Sequence, residues 1–170
     1  MKLNTLLATL AATAFVAMGS SAQAAEGTDD AALLKALPTA KIGLREGLQA
    51  ASAKGRPISG KFEMEGDKLQ LSVYVGKDGK FSEVIVDHGK GTVTKVEAIT
   101  GGEDLAAAQA QWATLGKVKE PLKMAVAAAE HNAPGYRAVS VTPEAGSQGA
   151  VAKITLAKQG EHKAVEVPIR

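Results

Sequence analysis

The chain has 170 residues, 45% of them hydrophobic, 22% charged and 4% aromatic, with 20 Lys and Arg against 18 Asp and Glu. This balance suits a packed globular protein of one or two domains, and it argues against the concentrated basic field that a nucleic acid or a polybasic membrane contact requires. The chain has no cysteine, which excludes disulfides, thiolate metal sites, a catalytic thiol and a lipidated cysteine anchor.

The N-terminus carries Lys2, an apolar run from Leu6 to Met18, small residues at Gly19, Ser20 and Ser21, and an Ala22-Gln23-Ala24 ending. This three-part pattern predicts a secretory signal peptide over 1–24, cleaved before Ala25. Its apolar core is shorter than the roughly 20 residues of a spanning helix, so no stable membrane insertion is expected. The mature protein is expected in the periplasm or outside the cell.

A short helix is predicted over 30–37 and stopped by Pro38. A second, over 39–53, has Ile42, Leu44, Leu48 and Ala51 on one stripe, with Gly55 closing it. The period then changes. Phe62 and Met64 alternate with charged residues, Gly66-Asp67 turns the chain, and Leu69, Leu71, Val73 and Val75 alternate with Gln70, Ser72, Tyr74 and Gly76. Asp78-Gly79 turns it again into Val84 and Val86, and Thr92 to Ile99 supplies a fourth strand.

From Gly101 the pattern restarts. Asp104 is placed to cap a helix carrying Leu105, Ala108, Trp112 and Leu115, and Pro121 to open another. Leu122, Val126 and Ala129 repeat Leu44, Leu48 and Ala51 at an offset of 78, while Ile154, Leu156, Gly160, Val165 and Val167 repeat Val73, Val75, Gly79, Val84 and Val86 at an offset of 81. A longer first hairpin loop in the second copy accounts for the difference. The expected fold class is α+β: two similar units, each a helix packed on an antiparallel sheet of three to four strands. The predicted division is 25–100 for the first unit, 101–117 for a linker helix and 118–170 for a second, incomplete unit.

Lys41-Ile42-Gly43-Leu44-Arg45-Glu46-Gly47-Leu48 resembles the opening helix of the PepSY family, K-I-S-L-x-E-A-L. The Asp78-Gly79 turn, Val84-Ile85-Val86-Asp87 and Gly91-Thr92-Val93 are similar to the family's closing V-D-x-x-T-G-x-V region. Ala133-Pro134-Gly135 through Val139-Ser140-Val141 resembles its helix-to-strand passage, P-G-x-x-V-x-x-V. Gly43 and Gly47 stand where the family usually has a serine and an alanine. The resemblance implies an exported envelope protein that binds a protein partner, a peptidase among the candidates, with no catalytic residue and no cofactor.

The residues themselves point to no chemistry. His88, His131 and His162 show neither H-x-H nor H-E-x-x-H spacing, so no metal site is expected. Asp87-His88 reads as a solvated turn, and no serine carries the glycine or lysine spacing of a nucleophile. Tyr74 and Ile85 are different: both fall on the strand face opposite the inferred core, where a small apolar patch would serve partner contact unless the other unit or the N-terminal helix covers it. They are the candidate partner-binding residues. The expected function is therefore a non-enzymatic, PepSY-like protein that binds, and inhibits or regulates, a peptidase or other envelope partner. The alternative is a small-ligand binding or sensing protein using the cleft between the two units.

Overall fold

The structure, a computed structural model, describes residues 30–116 and 118–170; the predicted signal peptide, 1–24, lies outside them. Helix α1 occupies 30–36 and tightens into a 3-10 turn at Leu37–Thr39, where proline can no longer donate to a helix. Helix α2 (Leu44–Ala51) follows, then strands β1 (Arg56–Glu65), β2 (Lys68–Lys77), β3 (Lys80–Asp87) and β4 (Thr92–Ile99). Helices α3 (Gly102–Leu115) and α4 (Leu122–His131) lead to β5 (Arg137–Gly146), β6 (Gly149–Lys158) and β7 (Glu161–Pro168).

The expectation of two separate helix-on-sheet units is overturned. All seven strands form one antiparallel sheet in the order β4-β3-β2-β1-β5-β6-β7. The two meanders are joined edge to edge, because β1 pairs with β5 through Gly60 opposite Val141 and Lys61 opposite Ser140. Across this seam α2 and α4 pack on each other and share one face of the sheet. Leu71, Val73, Val75, Val84 and Val86 from one half and Val141, Ala152, Ile154 and Leu156 from the other are all buried in a single core. Gly60 matters at the seam: a Cβ there would lie 3.2 Å from Leu48 Cδ2 and 3.3 Å from Leu44 Cδ1, so its bare backbone lets α2 settle on the sheet.

Three further expectations need correction. The hairpin loops have equal length in both halves, since Glu65 pairs with Lys68 as Gly146 pairs with Gly149. The added residues lie earlier, in an α4 longer than α2 and a longer passage from α4 to β5. Asp104 does not cap α3; its N-cap is Gly101, and Asp104 sits in the first turn, where its charge suits the positive end of the helix. Similarly, 40–43 are not helical: α2 begins after Gly43, whose amide donates to Glu46 Oε2 at 3.0 Å.

The expected linker helix α3 covers the other face of the sheet, across β1, β2 and β5. Small residues make room for it. Trp112 lies on Gly76, where a Cβ would come within 2.5 Å of the ring, and meets Phe81 edge to face at 6.1 Å. Ser59 Oγ donates to Gln111 Oε1 at 2.8 Å.

Two arginines tie the halves together. β1 and β5 each carry an irregularity near their start, between Pro57 and Ser59 and between Ala138 and Ser140. Just before each stands an arginine. Arg137 Nη1 donates to the carbonyls of Leu37 (3.2 Å) and Ala40 (3.0 Å), its Nη2 donates to that of Ile42, and the guanidinium lies 5.5 Å above the Phe62 ring. Arg56 Nη2 donates to the Val118 carbonyl, with Trp112 below it at 5.9 Å. Each arginine thus holds the loop that leads into the other half's helix. The same loops are fastened to their own halves: the amides of Lys41 and Ile42 donate to the His88 carbonyl, and those of Lys119 and Glu120 to the Arg170 carbonyl.

Arg137→Ala is expected to lower stability by about 2–4 kcal/mol, because it strands carbonyls that faced a charged donor, and Arg56→Ala by less. Arg137→Lys should recover less than half of the loss, since one ammonium cannot span the three carbonyls that a planar fork reaches; urea midpoints check both. Gly76→Ala should cost about 1–3 kcal/mol by overpacking. It should also shift the emission of Trp112, the single tryptophan, to the red.

Candidate binding surfaces

The face that α3 covers over β1, β2 and β5 stays open over β3, β4 and the far halves of β1 and β2. The open part forms a shallow basin of about 760 Å³. Strand alternation puts Tyr74 and Ile85 there together: Tyr74 is opposite Glu83, Ile85 is opposite Ser72, and the two are diagonal neighbours on β2 and β3. Both are half-buried. The partial cover over Tyr74 comes from α3, whose Asp104, Ala107 and Gln111 line a smaller hollow with it. Ser140 and Thr142 of β5, from the second half, line the same hollow.

The charges in the basin are organised by the sheet. Lys61 Nζ pairs with Glu63 Oε2 at 2.6 Å and lies 6.0 Å from the centre of the Tyr74 ring. The other oxygen of Glu63 accepts from Ser72 Oγ at 2.6 Å, which satisfies a hydroxyl that is fully buried in the strand. On the edge strand Lys95 pairs with Glu97 at 2.8 Å. Burial pushes the Tyr74 hydroxyl above its ordinary pKa, against the pull of Lys61. Burial also depresses Lys61, but the adjoining Glu63 outweighs it and the ammonium is held above its usual value. Five carboxylates (Glu63, Glu65, Glu83, Glu97 and Asp104) line the basin with only two ammoniums, so its field is negative around an apolar pair.

A second concavity, about 400 Å³, opens on the opposite face where the end of α2 meets the start of α4. Leu48, Leu115 and Leu122 floor it, and Lys119, Glu120 and Lys123 stand at its rim.

The histidines are spread over the turn after β3, the end of α4 and β7. Among the described residues no three His, Asp or Glu side chains form a group that could hold a metal ion. Asp87 stabilises the turn after β3: its Oδ1 accepts from the amides of Gly89 (2.8 Å) and Lys90 (3.0 Å). Those two amides, Gly89 first, hold the carboxyl below its ordinary pKa.

The residues that sequence reasoning missed are Lys61 and Glu63, which frame Tyr74, and the lysines beside α4. Each looks like an ordinary surface charge until the strands and helices are assembled. Compared with known proteins, the chain matches no family model, no curated protein and no solved structure.

A carboxyl whose pKa is lower in the folded than in the unfolded chain stabilises the fold above its unfolded pKa, and that contribution is lost as pH falls through the folded value. Thermal midpoints of the natural protein and Asp87→Asn should therefore converge as pH drops below about 4. Above it the natural protein should melt higher, and a constant difference at every pH would refute the turn's dependence on the charge.

Proposed function

We propose that this chain is an exported, non-enzymatic binding protein, similar to PepSY proteins, whose open sheet face engages a protein partner of the envelope, with a peptidase as the leading candidate. The observation that carries the reading is the exposure of one half of a sheet face that α3 covers elsewhere, with Tyr74 and Ile85 at its centre. The PepSY resemblance of 41–48, 78–79, 84–87, 91–93 and 133–141 supports the same reading. Isolated apolar residues on a surface are ordinary, but an aromatic and an aliphatic residue side by side within a ring of charge make the anchor and rim of a contact surface. The partner segment that fits is cationic with an apolar side chain. Lysine or arginine would meet the excess carboxylates, and the apolar group would rest on Tyr74 and Ile85.

The test uses residues 25–170 as bait against an envelope extract, in parallel with Tyr74→Ala/Ile85→Asp, followed by inhibition assays on any peptidase retained. Partners specific to this face should be lost about tenfold or more with the double variant, while its thermal midpoint stays within a few degrees. Equal retention by both proteins would remove Tyr74 and Ile85 from the interface, and retention without inhibition would remove the inhibitor role.

A further inference from the structure

The two halves of the molecule differ at one corresponding place, and the difference leaves a cavity. In the second half, Glu130 at the end of α4 turns back and accepts the Ala138 amide at the irregularity of β5, at 2.9 Å. In the first half Ser52 occupies the position of Glu130 relative to its helix, and Pro57 occupies the position of Ala138 in its strand. Proline has no amide to satisfy, and serine is too short to reach across. The space that a carboxylate fills in one half is therefore open in the other, and Ser52 and Pro57 both line the concavity between α2 and α4.

Its chemistry is one-sided. The floor is apolar, and Lys119, Lys123 and Arg56 contribute to the lining against the single carboxylate of Glu120. Arg56 is already engaged by the Val118 carbonyl, and Lys123 Nζ donates to the neutral Gln49 Oε1. Neither Lys119 nor Lys123 is ion-paired with a carboxylate among the described residues. The start of α4 adds to this positive field. Its N-cap is Pro121, with no side-chain cap, and Met124 stands where Glu46 reaches back to cap α2.

We propose that this cavity binds a small carboxylate with an apolar body. The body lies on Leu48, Leu115 and Leu122, and the carboxylate meets Lys119 and Lys123. A charged group entering a partly apolar hollow loses hydration, and two ammoniums that lack a carboxylate partner supply the compensation. The size suits a medium-chain acid or the last residues of a peptide with a free C-terminus. The cavity is on the side of the sheet that carries α2 and α4, away from Tyr74 and Ile85, so this inference and the protein-binding reading fail independently.

Isothermal titration of residues 25–170 with octanoate, with octanol, and with an N-acetylated Leu-Leu dipeptide as acid and as amide tests the proposal. At least one of the two acids should bind with a Kd below about 1 mM, and octanol and the amide should bind about tenfold more weakly. Tighter binding of octanoate marks a free acid as the source; tighter binding of the peptide acid marks a chain terminus. Lys119→Gln and Lys123→Gln should each weaken the acid about three- to tenfold. Ser52→Glu, which supplies the carboxylate of the other half, should abolish binding while circular dichroism and the thermal midpoint stay close to those of the natural protein. Absence of binding by both acids, equal binding of octanol, or binding unaffected by Ser52→Glu overturns the proposal.

Discussion

The seam between β1 and β5 is the contact on which the rest of the molecule depends. It is a short ladder at Gly60 and Lys61, yet it turns two meanders into one sheet and gives α2 and α4 a common floor. A two-stranded edge contact of this length supplies little on its own. Its strength comes from what it brings together: the apolar faces of both helices meet over the seam, and Leu44 and Leu48 can approach because Gly60 has no side chain. Burial on one face and hydrogen bonding within the strands are thus satisfied together.

The arginines complete that arrangement from the ends. The carbonyls of Ala40, Ile42 and Val118 lie in loops that enter helices, where water would ordinarily satisfy them. Here Arg137 and Arg56 reach across from the opposite half, and each rests on an aromatic ring. The stacking keeps the guanidinium planes oriented, so the fork loses less freedom in forming its bonds. The helices are consequently placed by both halves, and the concavity between them has walls supplied by each.

The local structure was legible because its signals are local. Alternation of Leu71, Val73 and Val75 defines a strand, and Asp78-Gly79 defines a tight turn, with both residues at positive φ (50° and 74°) as a twisted two-residue hairpin requires. Gln159 and Gly160 repeat that conformation at 43° and 86°. The seam was not legible, since nothing in the period of either meander states which edge meets which. Arg56 and Arg137 were hidden for a related reason: each lies at the border of a loop, where a charge normally faces water. Their shared place before two corresponding strand irregularities is the signal that could have exposed them. For the binding surfaces, the sequence placed Tyr74 and Ile85 on one face, but the cover from α3 depended on the room left by Gly76 and Ser59, a tertiary fact.

The two outermost strands bear on how another protein can approach. β4 carries Lys95 and Glu97 along its exposed length, and β7 carries Glu161, Lys163 and Glu166 and ends on Pro168. Charge and proline on border strands oppose the addition of a further strand, because an incoming backbone would have to desolvate the charges and would find no amide at the proline. The sheet is thereby closed to lateral growth without being closed into a barrel. A visitor is thus directed to the flat of the sheet or to the concavity between the helices.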